Sequence, residues 1–528
     1  MATPAGTAHS TSATGPAVSG LRALRLVATL GFPSVAAGVI ARRSRSMALL
    51  ERFGADASAV HAPRRLRAEH GSGPLRIELP GRRLAVVLDP ADVGRILEDS
   101  PDPFDPATRE KKGALSPFQP HGVLISQGSI RSERRRLNEE ALDTAHTLHH
   151  LAEPIVEVVD REAVALLESA IRTGTLDNDE FTRTWWRIVR RIVLGDSAAE
   201  DNDITDRLKK LRANGNWSYF IPERSRLRDR FTEDLYRYVD RAEPGSLAGA
   251  LAALPAGGAT DPVGQIPHWL FAFDAAGMAA ARTLALFAGH PGQRGTARAE
   301  IAAGDAEKPQ PYPYLRAAVL ESVRLWPTTP MILRDSTRDT VWGPEQERFT
   351  IPAGTGFMIL TAGFHRDGET VSFADEFVPE VWLDGRAERR PELVPFSAGP
   401  AACPGRNLVL LVTSTLLARM LAAADFRVVS DPVPAPDRPL PNTFDNFGLK
   451  FEVARPAGAP GVRRSDMNAS GKHDEDEGFH RVSPDPEETP QDDDLESDHG
   501  DRPDSGTDAG QEATDPARRA GEEGGAGE

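Results

Sequence analysis

The acidic residues of this 528-residue chain are unevenly placed, and that limits how much of it can fold. From Pro456 to Glu528 there are 21 Asp and Glu against 7 Lys and Arg, so this stretch carries −14 of the formal net charge of −16. Runs such as Asp474-Glu475-Asp476-Glu477 and Asp492-Asp493-Asp494 sit among Gly, Pro and Ser with almost no aliphatic residues. Such a segment cannot bury enough apolar surface to offset the entropy of ordering, so residues 456–528 are expected to form a disordered acidic tail. The body before it is nearly neutral, at −2. It is much longer than one ordinary domain of roughly 150 residues, so it must be several units or one large fold. No basic stripe interleaved with aromatics runs through it, which argues against nucleic acid as a partner.

The only cysteine, Cys403, cannot close an intramolecular disulfide, and no tight Cys and His spacing suggests a structural zinc framework. Residues 1–20 hold no Lys or Arg and lack the zones of a secretory signal, so a cytoplasmic location is expected. The longest uncharged apolar stretch, Leu26 to Ala41, contains Gly31, Pro33, Ser34 and Gly38 and falls short of the ~20 residues that cross a bilayer. Flanked by Arg22, Arg25, Arg42 and Arg43, it reads as packing against the body rather than lying on a membrane. The chain therefore divides into an N-terminal segment, 1–60, part disordered and part packing helix, a main domain, 61–455, and the tail.

Between Leu142 and Glu300 apolar positions recur at three and four, as in Val156, Val159, Val164 and Leu167, which predicts helix. Ile77 to Asp89 and Val341 to Leu360 cluster β-branched and apolar residues between Gly and Pro, which predicts strands. Pro352, Gly354 and Gly356 predict a turn joining Phe349–Ile351 and Phe357–Leu360 into a hairpin. A long helix is expected from about Pro267 to Gly289, closed by the glycine just before His290-Pro291. The fold class is mainly α with a smaller β region.

Pro395-Phe396-Ser397-Ala398-Gly399-Pro400-Ala401-Ala402-Cys403-Pro404-Gly405-Arg406-Asn407-Leu408 sets the one thiol in a small-residue loop ahead of an apolar helix. Free N–H groups and the positive end of the helix dipole favour a thiolate there, and small neighbours let backbone amides approach sulfur. By itself this also describes a small buried hydrophobe. The spacing of Phe396, Gly399, Cys403 and Gly405 resembles the haem-binding loop of the cytochrome P450 family. That resemblance implies that Cys403 is the axial thiolate of haem b. Upstream, Tyr314 to Pro327 resembles the family's Glu-x-x-Arg helix and its proline turn, with Glu321 and Arg324 as a buried structural pair. The resemblance extends over roughly residues 65–455 in collinear pieces, including Phe364-His365-Arg366-Asp367 and Phe377-Val378-Pro379-Glu380. Where the family's third partner for that pair usually stands, this chain has Val381, and two residues before the cysteine it has Ala401 in place of a basic residue.

Carried over residue by residue, Arg334 matches the family's propionate-binding arginine. The segment Arg131 to Leu142 resembles its anchoring helix, with Arg131 and Arg135 at the two anchors. A shift of one residue offers Ile130 and Arg134 instead. Arg135 and Arg334 are expected to carry most of the propionate recognition. On the long helix, counting back from His290-Pro291 puts Ala272 over the haem, Asp274 at the family's acid and Ala275 at its alcohol. Matching Ala276-Gly277 instead gives Ala279 and Ala280. Either way the usual threonine is lost, and Asp274 is the candidate catalytic residue, organising the proton that oxygen activation needs.

The resemblance implies a monooxygenase that takes O2, a hydrophobic small molecule and electrons from a ferredoxin-type carrier with its NAD(P)H reductase. No Gly-x-Gly-x-x-Gly turn for a nicotinamide or flavin occurs in the sequence. Arg134 and Arg136 are expected to offer a basic patch to an acidic carrier, with the acidic tail as a competitor for it. Two other readings stay open: a peroxide-using or isomerising haem-thiolate enzyme, and a haem-binding protein without catalysis.

Overall fold

The computed structural model describes residues 15–456 except 38–43, 54–55 and 218–220, so the expected tail and parts of the N-terminal segment lie outside the described residues. Helix dominates. The eleven described strands are β1 Ala17–Val18, β2 Leu75–Leu79, β3 Arg82–Val86, β4 Phe104–Asp105, β5 Thr175–Asp177, β6 Ile332–Ser336, β7 Thr340–Trp342, β8 Phe349–Ile351, β9 Gly356–Ile359, β10 Asp425–Val428 and β11 Lys450–Ala454. Six of them form one sheet in the order β1-β2-β3-β9-β6-β4. The others make a three-stranded sheet, β10-β11-β5, and the β7-β8 ribbon. β2 and β3 are the strands expected around Ile77 to Asp89, paired antiparallel from Leu75 opposite Val86.

The expected hairpin does not form. β8 pairs with β7, Val341 opposite Thr350, whereas β9 lies between β3 and β6, with Arg334 opposite Phe357. β9 is buried along its whole length, as a central strand must be, and one arm of a surface ribbon could not supply that cover. The turn between them is held by Ser336: the Gly354 N–H donates to its carbonyl at 2.7 Å and the Thr355 N–H to its hydroxyl at 3.2 Å.

The helical half packs on helices Ala152–Thr173, Asn178–Leu194, Ile266–Gly289, Pro313–Leu325 and Arg406–Ala423. In the first of these Val156, Val159 and Leu167 are buried as expected, but Val164 is 49% exposed, because it falls on the opposite face. Helix Ile266–Gly289 begins and ends where the sequence places it. Gly289 is required by a close approach: a Cβ there would lie 1.9 Å from the Pro434 carbonyl oxygen. Val263–Gly289 and Arg406–Ala423 are long and apolar enough to cross a membrane, yet 78% and 72% of their apolar windows are buried inside the protein. Both are core helices. A second core, Phe104, Trp342 and Phe357, lies under the large sheet with ring centroids 5.1–5.9 Å apart. Helix Gly20–Ala37 packs Ala23 and Leu30 inward and leaves Leu21 and Leu24 exposed.

Candidate functional site

The cysteine loop is shaped by its own backbone. Cys403 N–H donates to the Phe396 carbonyl at 2.9 Å, Ala402 N–H to that of Gly399 at 2.9 Å, and Ser397 N–H to that of Val394 at 3.0 Å. Gly399 has φ +65°, and a Cβ on it would stand 2.1 Å from the Leu97 carbonyl oxygen, so no other residue fits. Gly405 is less constrained, since a Cβ there would meet only Leu142 Cδ1 at 3.8 Å. Burial pushes the Cys403 thiol up, against the opposing pull of the Gly405 N–H and the charges of Arg135 and Arg406. The helix start alone therefore does not outweigh burial at this sulfur; a metal ion on it would favour the thiolate, because a coordinating thiol is deprotonated outright.

Beneath the loop, Glu321 and Arg324 are fully buried on helix Pro313–Leu325. Arg324 donates to both carboxylate oxygens of Glu321 at 2.7 and 2.8 Å. Its other N–H groups meet the carbonyls of His365, Ala374 and Glu376 at 2.8–2.9 Å and that of Phe373 at 3.2 Å. Val381 packs in an apolar cluster, and the partner missing from its position is supplied one residue on: Trp382 Nε1 donates to Glu321 Oε2 at 2.9 Å, while Val378 N–H donates to Oε1 at 3.1 Å. His365 bridges this pair to the loop. Its Nε2 accepts the Val394 N–H at 3.0 Å and its Nδ1 lies 3.2 Å from the Arg324 carbonyl. Burial, and then the Arg324 charge, push its pKa down to about 3.

Arg334, on β6, is buried and donates only to neutral oxygens: Ser100 Oγ at 3.1 Å, the Leu333 carbonyl at 3.0 Å and Ser397 Oγ of the cysteine loop at 3.3 Å. Burial and then the Arg131 charge bring its pKa down to about 10. Arg131 is also buried, and its Nε has no partner. Lys111 belongs to the same cluster. Its ammonium is held well below the usual lysine range by burial and then by Arg334, and it touches only the carbonyls of Pro106 and Leu333, at 2.9 and 3.2 Å. Asp105 is the one carboxylate that pulls on all three cations. Arg131 and Arg334, both buried, and the partly buried Lys111 thus converge on one shared carboxylate, a basic setting that suits a group carrying two carboxylates. Lys111 escapes sequence reading because Arg109-Glu110-Lys111-Lys112 looks like solvated surface.

Arg135 donates to the Ala402 carbonyl and to Glu139, each at 2.6 Å, so it braces the cysteine loop, and its charge also holds the Arg131 pKa down. Arg131 and Lys111 join Arg334 and Arg135 as candidates for propionate recognition. The one-residue shift to Arg134 is disfavoured, since Arg134 turns away to Ser126 Oγ, Ala259 O and Thr260 O at 2.8–3.1 Å. Being buried, Arg134 also drops out of the expected basic patch, while Arg136 stays exposed beside Glu140.

On helix Ile266–Gly289, His268, Phe271, Ala272, Asp274, Ala275 and Met278 keep partial exposure, as do Ala288 and Gly289 at its end, whereas Ala279 and Ala280 are buried in protein. Ala272, Asp274 and Ala275 lie on the first of these partly exposed stretches. Gly277 serves packing: a Cβ would stand 2.6 Å from Trp185 Nε1, which donates to the Phe273 carbonyl at 2.8 Å. Asp274 is ion-paired, its Oδ2 2.6 Å from Arg212 Nη2 of helix Asn202–Gly215. Phe271 meets Phe118 edge-on at 5.9 Å.

The donor set fits iron protoporphyrin IX: a lone thiol in a loop of small residues, and behind the loop buried cations for two carboxylates. Comparison with known proteins agrees. The family description "Cytochrome P450" matches residues 300–450. Curated relatives include cytochrome P450 705A1 of Arabidopsis thaliana, 30% identical over 127 residues, 23% of this chain and 24% of that protein. A 3-beta-hydroxylase of Tanacetum parthenium is 36% identical over 136 residues, 25% of this chain and 26% of that protein. A probable cytochrome P450 4s3 of Drosophila melanogaster is 28% identical over 196 residues, 37% of this chain and 39% of that protein. The chain thus spans only about a quarter to two fifths of the length of these relatives. The crystal structure of a cytochrome P450, CYP102L1, superposes with TM-score 0.61 at 18% identity, covering 75% of this chain and 94% of that one. Retinoic acid-bound cyanobacterial CYP120A1 gives 0.59 at 18%, covering 74% and 93%. The fold is that of a cytochrome P450.

Proposed function

We propose that this chain, a member of the cytochrome P450 family, is a haem-thiolate monooxygenase that inserts one oxygen atom of O2 into a hydrophobic small molecule. The observation that carries the reading is convergence on one loop: Arg334 reaches Ser397 and Arg135 reaches Ala402, both in the stretch that leads into Cys403, with Arg131 and Lys111 clustered near Arg334. Bound there, the haem iron would supply oxygen activation and its transfer to a C–H bond. Cys403 Sγ would hold the iron, and Arg334, Arg131 and Lys111 the propionates.

The residues of the distal stripe set what else reaches the site. Phe118, Phe271 and Met278 offer apolar contact to a substrate without polar anchors. Ala275 has no hydroxyl, so the proton needed there must come by way of water held by Asp274 or from the substrate. Asp274 is engaged by Arg212, so its carboxylate must be shared or released for that task. Electrons would come from a ferredoxin-type carrier and its NAD(P)H reductase, docking where Arg136 and Arg406 are exposed beside the cysteine loop.

Ala275 favours a second reading, in which the oxidant is a peroxide. The two are separated by supplying NADPH, ferredoxin and reductase in one reaction and hydrogen peroxide in another. Product formed with the carrier chain supports the monooxygenase, and product formed with peroxide alone supports the alternative.

A further inference from the structure

The loop between helices Gly128–Ala141 and Ala152–Thr173 carries Asp143, His146, His149 and His150, a close histidine spacing that runs against the expectation of no such framework. One ligand atom from each of Asp143, His149 and His150 lies within 4.8 Å of the other two. Asp143 Oδ2 accepts the His150 N–H at 2.8 Å, and His149 Nδ1 accepts the next amide, Leu151 N–H, at 3.0 Å. Two lone pairs are thereby aimed at consecutive amides and brought side by side. His150 Nδ1 is 3.4 Å from Asp143 Oδ2, and His146 Nδ1 is 2.5 Å from Asp143 Oδ1. His149 Nε2 lies 3.2 Å from the Ala141 carbonyl, the orienting contact that a metal-bound imidazole usually keeps on its far nitrogen.

The loop is also held in place from behind. Thr144 Oγ1 donates to the Pro404 carbonyl at 2.8 Å, Asn407 Nδ2 to the Thr144 carbonyl at 3.0 Å and Arg316 Nη2 to the Thr147 carbonyl at 2.7 Å. His149 is buried and Asp143 partly so, while His150 is half-exposed and gives an ion access from solvent.

We infer that this loop binds a divalent first-row cation of the zinc and copper group through Asp143 Oδ2, His149 Nδ1 and His150 Nδ1, with His146 beside the other carboxylate oxygen. Two or three imidazoles and one carboxylate suit such an ion, and they do not suit magnesium or calcium, which take oxygen ligands. On binding, His149 keeps its contact with Ala141 and gives up the Leu151 amide, which lies at a helix start and can turn to water. The ion would clip the two helices together behind Pro404, the residue that follows Cys403.

The test uses the full-length haem-loaded protein, stripped with EDTA and desalted, titrated calorimetrically with zinc chloride and separately with magnesium chloride. The wild type should take up one tightly held zinc per chain and no magnesium. Asp143→Asn, which tolerates the φ of +48° at this position, and His150→Gln, altered at a half-exposed side chain, should each weaken that zinc about tenfold or more. The haem absorbance and the zinc-free unfolding midpoint of both variants should match wild type. Absence of zinc uptake would overturn the inference, as would a tight zinc retained at wild-type affinity in both variants, which would place the ion elsewhere in the chain.

Discussion

Trp382 donates its indole N–H at 2.9 Å to Glu321 Oε2, the same oxygen that accepts from Arg324 Nε in the buried pair. The Glu321 carboxylate thus has three donor groups, Arg324, the Val378 N–H and the indole, and its charge is not stranded. Trp382→Phe keeps the ring and removes one donor. It should destabilise the fold by about 1–3 kcal/mol, the loss of one hydrogen bond to a charged group whose oxygen still accepts from Arg324. Arg324→Ala strands the whole carboxylate and should cost more, ~3–5 kcal/mol. Urea unfolding of the two variants checks the order, and a larger loss for Trp382→Phe would contradict it.

The cation cluster predicts a hierarchy of haem retention. Arg334→Ala and Lys111→Met should each lose haem faster to an excess of haem-acceptor protein, because each removes a buried cation from carboxylates it would face. Arg135→Ala, which braces the loop at Ala402, should release haem closer to the wild-type rate. Equal retention in all three variants would remove the cluster from the cofactor site.

Gly399→Ala and Gly405→Ala should separate sharply. The first places a methyl 2.1 Å from the Leu97 oxygen at a positive φ, so haem-loaded protein should fail to accumulate. The second meets nothing closer than 3.8 Å and should be tolerated by the protein itself. Soluble haem-containing yield on expression is the measurement.

His365 sets a pH dependence whose sign is fixed by its burial. Its pKa is pushed down to about 3 in the folded chain, whereas an imidazole in the unfolded chain titrates near ~6.5. Stability is whole above the upper value. As pH falls between the two, the unfolded chain takes up a proton that the folded chain refuses, and stability drops by up to about 1.4 kcal/mol per pH unit. His365→Gln should flatten this decline by one proton, read from urea unfolding between pH 7.5 and 5. Parallel declines in the two proteins would contradict the assignment.

Asp274→Asn should slow carrier-driven turnover with O2 much more than turnover with peroxide, because only the former needs protons delivered at the distal stripe. Equal losses, or none, would take Asp274 off the proton path.

How far the sequence reveals all this depends on whether a residue acts within a motif or across space. The Cys403 loop, the Glu321–Arg324 spacing and both ends of helix Ile266–Gly289 are legible because each is local: a few residues at fixed offsets, closed by Gly or Pro. Trp382 is not, since a sequence motif assigns one position and the indole reaches back from the next. Lys111 is hidden for a similar reason, a charged stretch giving no sign that one of its lysines turns inward. Arg134 reads as a surface charge and is buried by contacts with residues 126 and 259–260 that no local pattern encodes. The β8–β9 hairpin fails because turn chemistry specifies a turn, whereas the partner of each strand is chosen by the burial that β9 needs.

The central claim is that Cys403 is the thiolate ligand of a haem iron whose other side is open. The absorption spectrum of the purified protein, reduced and exposed to carbon monoxide, tests this most directly when set beside that of Cys403→Ser. The account predicts a strongly red-shifted Soret band in the wild type that disappears in the variant. A band without that shift, the same band in both proteins, or no bound haem would contradict it.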